Sequence, residues 1–192
     1  ALAASHHLLL GHGLAVAALR ANSPQAKVGI TLNFSPTYTL NDTPENAEAM
    51  RRWDGFFNRW YLDPIAGRGF PADMCELYGD LAPTVPAEDF ATMAAPIDFL
   101  GINYYSPAFV EDNPEGDILR IRSQRLPDAE YTAMDWAVCP EALFELLERL
   151  HRDYAFPELY ITENGAAYPD EPQGTNGSTQ VRDTARQRYN KQ

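Results

Sequence analysis

Glu163 closes the short β-branched and aromatic run Leu159-Tyr160-Ile161-Thr162 and is followed at once by Asn164-Gly165. That order lifts a carboxylate to the tip of a buried strand and turns the chain sharply behind it. A carboxylate fixed at a strand end has little freedom left to lose, which suits a nucleophile or a general base. Taken alone, the segment fits equally well a strand-ending acid beside an Asn-Gly turn. Two other predicted strands also end in polar or aromatic groups, Asn33 on one and Asn103-Tyr104-Tyr105 on the other. In α/β folds the chemistry sits at the C-terminal ends of strands, so the three exits together weigh more than any one motif.

A tyrosine hydroxyl near Glu163 would donate to the carboxylate, orient it and hold it ionised. Asn103 would hydrogen-bond a substrate hydroxyl. Trp136, in the loop before a helix, would offer a flat apolar face to a sugar ring. Each has a structural alternative: Tyr104 and Tyr105 as core residues with a wet hydroxyl, Trp136 as a buried loop anchor.

Other chemistries find no support. His6, His7 and His12 share a helix but lack the i, i+4 spacing of a helical zinc pair, no HExxH occurs, and His151 is distant, so no metal is expected. There is no glycine-rich phosphate loop, no GxSxG elbow and no Cys-His constellation, and no cofactor is expected. Cys75 and Cys139 form neither a CxxC nor a disulfide framework, which favours a reducing, cytoplasmic compartment.

The scaffold beneath these groups is legible in the periodicity. Leu2, Leu9 and Val16 recur on one face of a helix from Leu2 to about Arg20, closed by Asn22 and Pro24. Val28 to Phe34 reads as a buried strand ended by Ser35-Pro36. Thr43-Pro44-Glu45 starts a helix, with a capping hydroxyl and a proline at the first position. Its aromatics, Trp53, Phe56, Phe57, Trp60 and Tyr61, are predicted to be core rather than a ligand platform, and Asp63-Pro64 to stop it. Ala66 to Pro86 reads as irregular, Ile97 to Asn103 as the second strand, and Phe109 to Arg125 as a hairpin excursion. Pro140 opens a helix with the stripe Leu143, Leu146, Leu147 and Leu150; then come the Glu163 strand, a polar loop and a last charged helix around Val181 to Tyr189.

Helices alternating with strands imply parallel strands joined by right-handed crossovers, hence an α/β fold. Three strands cannot close a barrel, and a complete (β/α)8 barrel takes at least about 200 residues, so barrel sequence of this kind would be part of one. The 192 residues, 45% of them hydrophobic, suffice for one domain with a buried core. A net charge of -12 argues against nucleic acid or an anionic membrane as partner. No stretch reads as long and apolar enough to span a bilayer, and the N-terminal Ala-Leu-Ala-Ala has no basic region before it, so it is not a signal peptide. Ala1 lies in what reads as mid-helix, so the natural chain is expected to start upstream.

Assembled, these motifs resemble family 1 glycoside hydrolases, the β-glucosidases and their relatives. Ile161-Thr162-Glu163-Asn164-Gly165 is similar to the family's nucleophile motif, and Phe99 to Ser106 to its sixth-strand motif. His6 to Gly13 resembles the helix after the fourth strand. Asp54-Gly55-Phe56, Asn58-Arg59-Trp60 and Asp63-Pro64 resemble the helix after the fifth. Met134-Asp135-Trp136 with Pro140 to Leu143 resembles the tryptophan loop, with Ala137 where an acid is often found. The Asp183, Arg186 and Tyr189 spacing matches the last-helix pattern.

The resemblance implies a partial (β/α)8 TIM barrel, roughly βα units five to seven with the preceding helix, as a single incomplete domain over residues 1–192. It implies a retaining β-glycosidase, most closely a β-glucosidase, acting on a small β-glucoside or oligosaccharide. Glu163 would be the nucleophile, Tyr105 the phenol that hydrogen-bonds it, Asn103 a polar group beside the catalytic centre, and Trp136 the wall on the leaving-group side. The acid/base glutamate would belong to a Thr-Asn-Glu-Pro motif upstream of Ala1, and the eighth strand would follow Gln192. The isolated chain is therefore expected to turn over little or no substrate, and its open sheet edges to favour self-association or pairing with the rest of the barrel. The alternative is a non-catalytic carbohydrate-binding module or one piece of a split barrel.

Overall fold

The computed structural model describes residues 1–170, 172–173 and 180–191. Helix α1 (Leu2–Asn22) leads into β1 (Gly29–Phe34), the short β2 (Thr37–Tyr38) and α2 (Pro44–Asp54). A π-helical turn (Gly55–Arg59) joins α2 to α3 (Trp60–Ile65), followed by α4 (Ala72–Tyr78), a 3-10 turn (Gly79–Leu81) and α5 (Ala87–Met93). Then come β3 (Phe99–Tyr104), β4 (Ala108–Asp112), β5 (Ile121–Ser123), α6 (Pro140–Asp153) and β6 (Leu159–Asn164). The hairpin strands β7 (Pro172–Gln173) and β8 (Gln180–Val181) and the helix α7 (Thr184–Tyr189) complete the order. Residues 171 and 174–179 of the expected polar loop, and Gln192, lie outside the described residues.

The three long strands form one parallel sheet in the order β1-β3-β6. Among the described residues β1 and β6 have no second neighbour, so both edges are open. β2, β4 and β5 form a second small sheet above the strand exits, with β4 and β5 antiparallel, as expected of a hairpin excursion. The main core lies between the sheet and its covering helices, where Leu100, Ile102 and Tyr104 of β3 meet Leu62 of α3 and Leu146 and Leu150 of α6. A second cluster joins Leu9 and Val16 of α1 to Met93 of α5 and Ile97. Here α1 passes so close to α5 that a Cβ on Gly13 would fall 1.9 Å from the Thr92 carbonyl oxygen.

Several local expectations need correction. Ala66 to Pro86 is not irregular throughout: α4 lies inside it and α5 follows, each started by a proline (Pro71, Pro86) and too short to show a periodic stripe. Asp63-Pro64 does not stop the helix, which runs to Ile65 before Ala66 N–H closes it on the Leu62 carbonyl. The last helix starts at Thr184, because Asp183 caps it through the Arg186 amide while Val181 pairs with Pro172. Strand β6 is not buried, since beyond Leu159 every residue is exposed on the open edge of the sheet. α1, contrary to the sequence reading, is long and apolar enough by length and composition to cross a membrane (mean hydropathy 1.4). It packs instead on α5 and α3 with Ser5, His6, Leu9, Gly13 and Val16 inward, while Leu8 and Leu19 are exposed.

Candidate active site

The carboxylate end of β6 owes its direction to a register shift. Leu100, Gly101 and Ile102 pair with Leu159, Tyr160 and Ile161, but Asn103 pairs with Glu163, so Thr162 is an extra residue in β6. In a regular strand successive side chains alternate faces. Ile102 belongs to the helix-side core, which makes Gly101 and Asn103 the residues on the opposite, inner face. Thr162 lies on that inner face, since a Cβ on Gly101 would come within 3.1 Å of its side-chain atoms. Strict alternation would then send Glu163 outward. The bulge removes that obligation, and Glu163, Thr162 and Asn103 all line one cleft.

That cleft, about 670 Å³, runs along the inner face of β1, β3 and β6 and is also lined by Thr31, Asn33, Phe56, Phe57 and Tyr61. Among the described residues lining it, Glu163 is the single carboxyl group. Its Oε2 accepts a hydrogen bond from the Tyr105 hydroxyl, and that bond is the main reason the Tyr105 phenol is harder to ionise than a free tyrosine. Asn103 Oδ1 accepts from the Thr162 hydroxyl at 2.8 Å. Asn164 donates to the Tyr104 carbonyl at 2.9 Å and to the Tyr189 hydroxyl at 3.0 Å, tying the turn behind Glu163 to β3 and α7.

The two adjacent tyrosines separate cleanly. Tyr104 points outward into the core, where its buried hydroxyl donates to the Cys139 carbonyl at 2.6 Å and burial pushes its pKa up. Tyr105 lines a second, adjoining cleft and reaches Glu163 from there. Trp136 is not buried: it is 37% exposed, with its ring 5.3 Å from that of Tyr105. It lines the same second cleft, of about 500 Å³, which adjoins the first through Asn33 and Phe57. A tight loop holds it there. Thr132 N–H donates to the Trp136 carbonyl, the Thr132 hydroxyl accepts from the Met134 and Trp136 amides, and Asp135 takes a left-handed φ of 58°. Arg125 pairs with Asp135 and lies over the Tyr131 ring at 3.6 Å.

The expectation that the aromatics of residues 53–61 are core holds for Trp60 and fails for Phe56, Phe57 and Tyr61. The π-turn inserts a residue into the helix and rotates the next turn, so that residues at i and i+5 share a face. Phe56 and Tyr61, 40% and 36% exposed, thereby face the cleft. Sequence reasoning missed them because it assumed a regular helical period.

A polar network braces this helix. Asp54 receives both terminal nitrogens of Arg149, at 2.6 and 2.9 Å, and pairs with Arg59 at 2.9 Å. Burial pushes the Asp54 carboxyl upward, but the hydrogen bonds and charges of Arg149, Asn58 and Arg59 outweigh it and hold it below the usual range. Buried Asn58 donates to Asp54 and grips both backbone groups of Ser35, just past β1, accepting from its N–H and donating to its carbonyl at 3.0 Å each. Of the histidines, His6 lies with its Nε2 2.8 Å from Asp89 Oδ2. Cys75 and Cys139 are free.

A carboxylate on the exit of a parallel strand, hydrogen-bonded by a phenol and with an aromatic wall nearby, thus sits at the C-terminal ends of the strands of an α/β fold. Residues 1–192 match the sequence profile of glycosyl hydrolase family 1 throughout. The chain is 37% identical over 191 residues to beta-glucosidase A of Acetivibrio thermocellus, covering 98% of this chain and 42% of that protein. It is 37% identical over 170 residues to the beta-glucosidase of an Agrobacterium species, covering 88% of this chain and 37% of that protein. Among solved structures, virulence factor SghA of Agrobacterium tumefaciens superposes with a TM-score of 0.90 at 34% identity, over 100% of this chain and 42% of that one. The family 1 β-glucosidase of Thermotoga maritima gives 0.89 at 30% identity, over 99% and 42%. The chain belongs to glycosyl hydrolase family 1, and it spans about two fifths of the length of these relatives.

Proposed function

We propose that these residues are βα units five to seven, with the preceding helix, of a single barrel domain that acts as a retaining β-glucosidase on small β-glucosides. One observation carries the reading: Glu163 is turned onto the inner face of its strand beside Asn103, with the Tyr105 hydroxyl on its Oε2. That contact leaves Oε1 free to attack the anomeric carbon. A C–O bond forms to Oε1 as the bond to the leaving oxygen breaks, and a second carboxyl group protonates that oxygen. Water, deprotonated by the same second group, then attacks the anomeric carbon and releases Glu163 as a carboxylate. Asn103 would hold a sugar hydroxyl and Trp136 would wall the leaving-group side. The second carboxyl must lie about 5–5.5 Å from the first. Because Glu163 is the single carboxyl group among the described residues lining the cleft, we assign the acid/base to sequence outside residues 1–192. The free thiols fit a reducing, cytoplasmic location.

The test is covalent trapping in the complete barrel that contains these residues, using a 2-deoxy-2-fluoro-β-glucoside with a dinitrophenol leaving group, which departs without protonation. Peptide mapping is expected to place the sugar on Glu163; a label on any other residue overturns the assignment. The lone carboxylate also keeps a second reading, a sugar-binding or split-barrel piece without chemistry. Calorimetric binding of glucose or cellobiose by the complete protein, with no hydrolysis, would favour it.

A further inference from the structure

We propose that Thr162 is a positioning residue for this site, acting through Asn103; the inference rests on the Glu163 reading. Three observations meet here. The bulge makes Thr162 the unpaired residue of β6 and sets it on the same face as Glu163. The inner face opposite it is cleared by Gly101, where any Cβ would stand 2.3 Å from Thr31 Oγ1 and 3.0 Å from Thr162 Cγ2. In the space so made, the Thr162 hydroxyl donates to Asn103 Oδ1 at 2.8 Å.

The consequence concerns the two ends of the Asn103 amide. An asparagine side chain presents an acceptor and a donor that differ little in shape, so an open cleft leaves it free to flip. With Oδ1 committed to Thr162, the Nδ2 donor is the end left for the cleft, where Asn103 and Glu163 face each other across the strand pair. A donor there suits a sugar hydroxyl oxygen or the carboxylate itself, whereas the flipped amide would set an acceptor against an anion. Thr162 touches no reacting atom in this scheme; its hydroxyl, able to donate or accept, fixes the position of the Asn103 side chain, and the facing carboxylate favours the donor end of the amide. Valine, the same shape without the hydroxyl, removes the hydrogen bond that holds Asn103 and leaves the packing.

The experiment is a double-mutant cycle in the complete barrel, read as kcat/KM on a nitrophenyl β-glucoside alongside thermal unfolding. Thr162→Val is expected to lower kcat/KM by about tenfold, the order of one hydrogen bond, without lowering the unfolding temperature appreciably. Thr162→Ser, which keeps the hydroxyl, is expected to recover most of that loss. In the Asn103→Ala background, Thr162→Val is expected to add less than twofold, because its route to the site is gone. If Thr162→Val folds poorly, Thr162→Ala, which relaxes the contact with Gly101, runs the same cycle. Full activity in Thr162→Val, or losses that multiply in the double variant, overturns the proposal while leaving the Glu163 reading intact. A wild-type barrel that hydrolyses no glycoside and takes no label at Glu163 overturns both.

Discussion

Gly101 sits two rungs below the Asn103–Glu163 pair on the same face, and its missing side chain makes room for the inner face of the sheet. Gly101→Ala would place a methyl group 2.3 Å from Thr31 Oγ1 and 3.0 Å from Thr162 Cγ2. Ordinary contact is about 3.5 Å, so the first approach is short by roughly 1 Å and the second by about half that. Both neighbours are β-branched and short, with few rotamers into which to retreat, so the strands themselves must spread. Overpacking of this kind costs about 1–3 kcal/mol, which would appear as a lowered urea midpoint with an unchanged slope. Spreading β3 from β6 also carries Glu163 away from Tyr105. The shortfall on the β6 side is about 0.5 Å, and since a 1 Å misplacement at a reacting group costs about 10²-fold in rate, kcat on a nitrophenyl glucoside is expected to fall about tenfold. Removing the closer obstacle in Gly101→Ala/Thr31→Ala is expected to restore at least half of the stability loss. Gly101→Ala with an unchanged midpoint and a rate within twofold of wild type, or a double variant no better than the single, would refute this account of the inner face.

Other perturbations probe separate parts of the site, all in the complete barrel. Tyr105→Phe removes the donor on Glu163 Oε2 and is expected to lower kcat by about 10–100-fold, the range of a hydrogen bond to a charged group, with a small change in KM, measured by steady-state kinetics. Arg149→Met leaves Asp54 half-paired and largely buried; discounted for the partial exposure of Arg149, the expected loss is about 2 kcal/mol at pH 7 in urea unfolding. Asp54 has a lowered folded pKa, so its contribution is present above the ordinary carboxylate value of 3.8 and is lost as pH falls through the depressed one. Acid titrations of stability should therefore show a smaller drop below pH 3.8 in Arg149→Met than in wild type. Partial burial pushes the His12 pKa down, and its Nε2 has no hydrogen-bond partner among the described residues. The unfolded chain takes up that proton first, so stability should decline as pH drops below about 6.5, and His12→Leu should flatten that decline.

The sequence carried the alternation of elements because each long one has a pure period. β1 and β3 are short apolar runs, and α6 has a leucine stripe flanked by proline and basic residues. It carried the candidate residues because Glu163, Asn103 and Tyr105 cluster at strand exits, a placement that parallel topology turns into proximity. The features it did not carry arise where periods are interrupted. The bulge at Thr162 and the π-turn at Gly55–Arg59 each insert one residue into a regular element, and neither leaves a composition signature. Both lie beside the cleft and decide which side chains enter it. Similarly, Tyr104 and Tyr105 cannot be told apart by type. Only the facing of β3, fixed by Ile102 in the core, shows which one reaches the cleft.

Asn58 gives the end of β1 an independence that the rest of the sheet lacks. By accepting from Ser35 N–H and donating to its carbonyl, its amide does for one residue what a neighbouring strand would do, as a rung built from a side chain. The strand end is thus tied off against the helix that follows it, and the chain beyond Pro36 bears no responsibility for keeping Asn33 in place. Insertions or sequence drift between Thr39 and Thr43, beyond the short strand β2, can then be absorbed without loosening the frame beneath. A fastening of this kind lets a loop vary while the strand end beneath it, and the cleft residue that strand carries, stay where they are.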